Sequence, residues 1–149
     1  MNTRSPALGA LAGLLAVVTL GGTATAADRV YTDGPVSVVT SVRTEPGQGN
    51  AYMKYLAATY KPMMEEAKKA GHILGYAVYS TQPRGPDDPD MYLVVTYKNM
   101  AAFDGLDDRM DAIQEKMVGS MDQRDAATVA RGKMRTILGS EMIQQLMLK

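Results

Sequence analysis

The segment Met91-Tyr92-Leu93-Val94-Val95-Thr96-Tyr97 carries apolar side chains at both odd and even positions. A strand of that kind is covered on both faces and belongs in the middle of a sheet, so it demands a partner along each edge. Two segments answer. Val36 to Arg43 alternates Val36, Val38, Thr40 and Val42 with Ser37, Ser41 and Arg43, the period of a half-buried strand. Ile73 to Thr81 sets Leu74, Tyr76 and Val78 against Ala77 and Tyr79 on the opposite face. A turn at Thr32 to Gly34 precedes the first strand and Pro46-Gly47 ends it, while Gln82 to Asp90 links the second to the central one. Gly75 inside a strand predicts a bulge or the close approach of another group. Residues 141–149 fit a helix through Met142, Ile143, Leu146 and Met147, or a strand face through Met142, Leu146 and Leu148. The strand is favoured, because a sheet of three leaves one flank of the domain uncovered.

Between these strands the period changes to that of a helix. From Asn50 to Ala70, the residues Tyr52, Met53, Leu56, Tyr60, Met63, Met64, Ala67 and Ala70 fall in one arc of ~120° at 100° per residue. Pro62 interrupts that arc. It has no N–H for the carbonyl of Ala58, which predicts a kink or a restart and leaves that carbonyl free. Gly71 supplies the terminator. Asn99 suits an N-cap, after which Phe103, Leu106, Met110, Ile113 and Met117 step along one narrow seam. A further helix is expected over 121–138, with Ala126, Val129, Ala130, Met134 and Ile137 as its stripe and Gly139 at its end.

The first 26 residues follow another logic. Arg4 precedes an apolar run from Ala7 to Leu20, then Gly21-Gly22 and the small tripeptide Ala24-Thr25-Ala26. A charged start, a short apolar middle and small residues at the end make a secretory signal peptide. The run falls short of the ~20 residues that cross a bilayer, and no basic stop-transfer pattern follows it. The expectation is residues 1–26 as signal and 27–149 as one exported domain, periplasmic or secreted, with no membrane attachment after cleavage.

That domain is close to electrically neutral, because the chain carries 16 basic and 16 acidic side chains and only Arg4 falls in the signal. Interspersed charges of both signs give no footprint for nucleic acid. The chain has no cysteine, which excludes disulfides, thiolate chemistry and cysteine-held metal clusters. Asp87, Asp88 and Asp90 lack the frame of a calcium loop and read as a solvated turn, and Asp104, Asp107, Asp108 and Asp111 as the wet face of a helix. No metal site is expected.

The order strand, helix, strand, strand, helix, helix, strand is a split βαβ arrangement of the α+β class: an antiparallel sheet with helices on one face. With Pro46-Gly47 ahead of Tyr52 and Leu56, the hairpin from Gly75-Tyr76-Ala77-Val78-Tyr79 to Tyr92-Leu93-Val94-Val95-Thr96-Tyr97, and the direct run into Asn99-Met100-Ala101-Ala102-Phe103, the chain resembles the dimeric α/β-barrel superfamily of ferredoxin-like proteins. The resemblance implies a homodimer that packs sheet on sheet. It also implies a pocket between sheet and helices, which in that superfamily hosts monooxygenation, haem degradation and other chemistry or none. The haem-degrading branch uses an Asn, a Trp and a helical His, and this chain has no Trp.

The unusual resource of the chain is eight tyrosines beside one Phe and twelve Met. Tyr52 and Tyr60 on the first helix and Tyr76, Tyr79, Tyr92 and Tyr97 on the hairpin need hydrogen-bond partners if buried: one another, Arg43, or a ligand. Together with His72, the only imidazole, they are the candidates for lining a pocket suited to a small apolar or aromatic molecule. Three functions fit: a non-catalytic dimer that binds such a ligand or serves in assembly; a cofactor-free monooxygenase-like oxidoreductase acting on a phenolic or quinone-like substrate; and a haem protein held by His72. No catalytic residue is assigned. The exported product should begin at Ala27 or Asp28, as intact-mass measurement of protein from the periplasm would show; a product that retains residues 7–20 would contradict the signal assignment.

Overall fold

A computed structural model describes residues 29–149, so the segment expected as a signal lies outside the described residues. Four strands, β1 (Tyr31–Thr44), β2 (Gly75–Ser80), β3 (Met91–Tyr97) and β4 (Arg135–Leu148), form one antiparallel sheet in the order β2-β3-β1-β4. Between β1 and β2 run α1 (Gly49–Tyr55), a π-helical turn (Leu56–Tyr60) and α2 (Lys61–Lys69). After β3 come a 3₁₀ turn (Met100–Phe103), α3 (Leu106–Val118) and α4 (Met121–Gly132). The topology is the ferredoxin-like split βαβ, with the helices on one face of the sheet.

Register decides what each face carries. Val36 pairs with Tyr97, Val38 with Val95, Thr40 with Leu93 and Val42 with Met91, and this row meets the helices. One core joins Val42, Tyr52, Leu56, Met91 and Leu93; the other joins Met64, Ala67, Ile73 and Ile113. The alternate row, Ser37, Val39 and Ser41 opposite Thr96, Val94 and Tyr92, faces away, and no described helix covers it.

The break at Pro62 takes a definite form. The N–H of Lys61 reaches back five residues to the carbonyl of Leu56, and α2 restarts with Pro62 in its first turn, where no N–H is needed. The wider turn changes the phase of the helix. Tyr52, Leu56, Met64 and Ala67 are buried as their spacing implies, but Met53 and Ala70 turn out to solvent.

Other expectations are corrected. No turn occupies Thr32 to Gly34: β1 starts at Tyr31, and the irregularity appears as a bulge, with Gly34 and Pro35 opposing Gln145. Gly75 marks neither a bulge nor a close approach, since it pairs regularly with Thr96 and a Cβ there would meet nothing within 4 Å. Asn99 caps only the 3₁₀ turn and makes no side-chain cap bond. The helix proper begins at Leu106, because Arg109 bonds the carbonyls of Ala102 and Asp104 and Gly105 turns left-handed (φ 62°). The helix expected to 138 stops at Gly132, and β4 begins at Arg135 and takes in Ile137, Gly139 and the whole tail. Long pairing with β1 outweighs the weak helical stripe.

At Gly34 a Cβ would lie 3.0 Å from the Gln145 carbonyl oxygen. Gly34→Val should therefore cost about 1–3 kcal/mol in denaturant unfolding and loosen the β1–β4 pairing. Gly75→Ala, with open space at the Cβ, should stay within about 0.5 kcal/mol of the parent. Equal losses in the two variants would contradict the bulge assignment.

Candidate functional site

The tyrosines divide between the two faces of the sheet. Tyr52, Tyr60, Tyr76 and Tyr97 lie on the helix side, whereas Tyr79 and Tyr92 sit opposite one another on the uncovered side. Arg43 joins neither group: it donates to the Pro86 carbonyl (3.0 Å) and to Asp87 (3.1 Å), fixing the hairpin loop to the end of β1. Asp90 accepts from the Thr44 N–H (3.1 Å) and hydroxyl, a second tie from the same loop. His72 follows Gly71 (φ 75°) in the turn after α2, and its N–H bonds the Ala67 carbonyl at 2.9 Å, away from the tyrosines that line the cleft described next.

A cleft of about 190 Å³ opens between the helical layer and the edge strand β2. Leu56, Ala57 and Met53 form one wall, Tyr76 and Val78 the other, and Tyr60 and Lys61 complete a lining that is almost wholly apolar. The π turn places both Leu56 and Tyr60 at this wall, so the Pro62 restart and the cleft are one local event. Tyr76 meets Tyr60 edge to face with centroids 5.9 Å apart, and its hydroxyl donates to Glu65 at 2.7 Å. The Tyr60 hydroxyl is buried and has no hydrogen-bond partner among the described residues.

That hydroxyl is a donor, not a base. Burial pushes the Tyr60 phenol far above the ordinary tyrosine range, and the neighbouring phenols of Tyr52, Tyr97, Tyr76 and Tyr55 push the same way. Burial also raises Tyr97 and Tyr52, the latter opposed by the adjacent Arg135, while the bond to Glu65 raises Tyr76. At neutral pH Tyr60 therefore keeps its proton and is a donor without an acceptor among the described residues.

Behind the cleft stands a pair that sequence reasoning missed. Tyr55 stacks on Tyr52 with centroids 6.0 Å apart, and the two phenols accept from Arg131 (2.7 Å) and Arg135 (2.5 Å) respectively. Arg131 and Arg135 are four apart, a spacing that aligns neighbours on a helix, but the helix assumed for this stretch offered Ala126, Val129 and Ala130 as its inner face. In α4 those three are exposed, and Arg124, Ala127 and Arg131 turn inward.

The fold is ferredoxin-like. Among solved structures, the chain is similar to HapK from Hahella chejuensis (14% identity, 74% of this chain and 91% of that one, TM-score 0.49). It is similar also to protein SO0527 from Shewanella oneidensis (13%, 78% and 96%, TM-score 0.48). A dimeric ferredoxin-like protein from an uncultured marine organism gives 13% identity over 79% of this chain and 98% of that one, with a TM-score of 0.49. No family model and no curated protein matches the chain.

The raised phenols set the alkaline behaviour of the domain. A folded pKa above the unfolded one gives stability that is fully present below about pH 10 and is lost as pH rises toward the folded values. Tyrosinate absorbance should therefore rise cooperatively above pH 10, together with loss of near-ultraviolet circular dichroism. In Tyr60→Phe the transition should move to higher pH, with neutral-pH stability unchanged or up by about 1 kcal/mol, because an unpaired buried hydroxyl is removed. Ionisation of all eight tyrosines without unfolding would contradict this.

Proposed function

We propose that this chain acts as an exported homodimer that binds a single-ring aromatic molecule bearing a carbonyl or quinone-like oxygen. The observation that carries the ligand is the apolar cleft lined in part by Tyr60, whose hydroxyl is buried behind that lining and has no partner among the described residues. Its volume of about 190 Å³ suits one ring, since an apolar cavity of about 150 Å³ accepts benzene whereas drug-sized pockets start near 300 Å³. A haem would not fit, and His72 lies outside the cleft. A protonated Tyr60 favours binding over proton abstraction, which the oxidoreductase reading would require of it.

Export is supported by the pattern of residues 1–26. The dimer is supported by the uncovered sheet face and by β4, whose Met142 and Ile143 are 49% and 50% exposed and whose Leu148 is 82% exposed. Apolar side chains on a long unpaired edge are a liability unless another surface meets them.

Titration with a panel of phenols, benzoquinones and benzaldehydes, followed by calorimetry, tests the ligand. An acceptor-bearing ring should bind, and Tyr60→Phe should weaken it by about fivefold to tenfold through the loss of one hydrogen bond. Ala57→Trp, a change at an exposed position on the cleft wall, should abolish binding without unfolding the protein. Binding indifferent to both variants would place the ligand elsewhere. Light scattering should give two subunits for the parent and one for Ile143→Glu; a monomeric parent would overturn the dimer.

A further inference from the structure

Among the described residues, the outer edge of β4 is a long row of main-chain groups with no strand beside it. The strand order makes β2 and β4 the two edges of the sheet. β2 is blunted by its length, six residues from Gly75 to Ser80. β4 runs for fourteen residues, and its stretch Met142-Ile143-Gln144-Gln145-Leu146-Met147-Leu148 holds no charge, no proline and no glycine. Long edges normally carry a device against pairing, and this stretch has none. Covering the open face of the sheet does not satisfy such an edge, because ladder hydrogen bonds lie in the plane of the sheet.

The pairing with β1 decides which groups face outward. The Lys149 N–H donates to the Val30 carbonyl at 3.0 Å, and the Gln145 carbonyl oxygen lies against Gly34, so odd-numbered residues here bond inward. The bulge at Gly34 and Pro35 puts its extra residue in β1, which leaves the alternation of β4 unbroken. The N–H and C=O of Met142, Gln144, Leu146 and Leu148 therefore point away from the sheet.

Charge selects the occupant and its register. From Thr136 to Lys149 the only ionisable side chains are Glu141 and Lys149. Glu141 is exposed and forms no ion pair among the described residues. Two copies of β4 set parallel and in register would stack like charges on one another. Set antiparallel about a two-fold axis at Gln145, they place Glu141 opposite the partner's Lys149 at both ends of the contact. Met142 then faces the partner's Leu148, Ile143 the partner's Met147 and Gln144 the partner's Leu146, and each outward pair exchanges two main-chain bonds. Moving the axis by one residue leaves the charges unmatched.

We propose that β4 is a self-complementary edge through which two dimers join, each already paired through the open face, so that the sheet runs on across the axis into a second copy. A patch that matches itself in this way closes on a two-fold and builds a tetramer from dimers. The edge contact and the face contact are separate surfaces, and either can fail while the other holds.

The chain has no cysteine, so a single introduced one reports its position cleanly. The residue on the axis forms a non-hydrogen-bonded pair with its own copy, at a Cα separation of about 4.5 Å that a disulfide spans. In a glutathione redox buffer Gln145→Cys should give a disulfide-linked pair of chains, whereas Ile143→Cys, displaced along the ladder from its own copy, should give little. Val94→Glu, on the open face and away from β4, should leave the Gln145→Cys link intact. Glu141→Lys should lower the yield of that link by about fivefold, and adding Lys149→Glu should restore it. Light scattering of the parent should rise from two subunits to four as its concentration increases. No link through Gln145→Cys, an equal link through Ile143→Cys, a link lost in Val94→Glu, or a parent that stays at two subunits at every concentration would each overturn the edge contact. The face contact is read separately, from whether Val94→Glu alone becomes a monomer at low concentration.

Discussion

The antiparallel pairing of β1 with β4 is the constraint from which most of the molecule follows. It runs from Tyr31 opposite Leu148 to Thr44 opposite Arg135, with a bulge toward each end. Two fourteen-residue strands joined this way bring the start and the end of the described chain side by side. Because β4 must reach β1 at Arg135, α4 is held over the first helical segment, and Arg131 of α4 and Arg135 at the start of β4 are delivered to the phenols of Tyr55 and Tyr52. On β4, Met142, Ile143, Leu146 and Met147 remain exposed, and no described helix covers them.

Polar groups inside the helical layer are satisfied in an uneven way. Tyr52 and Tyr55 are paired with guanidinium groups, and Tyr76 with a carboxylate, whereas the Tyr60 hydroxyl has no partner among the described residues. Arginine suits these sites because its planar fork donates in several directions while its stem covers apolar surface. Among the described residues two buried donors are left over, the Tyr60 phenol and the Arg124 Nε–H, on residues that line different cavities. In a well-packed interior an unmet donor calls for an explanation.

Much of the sheet was legible because its signals are local. The boundaries of β3 coincide with the doubly apolar run, and Tyr76 and Tyr79 fall on opposite faces as their spacing requires. The break at Pro62 follows from the missing N–H, although nothing in the sequence says that a π turn absorbs it. What could not be read depends on distant partners. Residues 135–138 continue a weak helical stripe, and only the long edge of β1 draws them into a strand. The inward arginines of α4 look like a solvated face until phenols from a segment some 75 residues earlier are placed against them. Six tyrosines seemed one pocket in sequence, but alternation along two strands sends Tyr79 and Tyr92 to the other side of the sheet.

A sheet with helices on one face alone leaves its other face to be accounted for, and a second copy meeting that face is the central claim about this molecule. Amide hydrogen exchange of residues 139–148, followed as the protein is diluted from high micromolar to low nanomolar concentration, tests it most directly. Slow exchange at high concentration, giving way to fast exchange on dilution while β3 stays protected, is the predicted result. Fast exchange of that strand at every concentration would show that its exposed edge and face meet water, and would contradict the account.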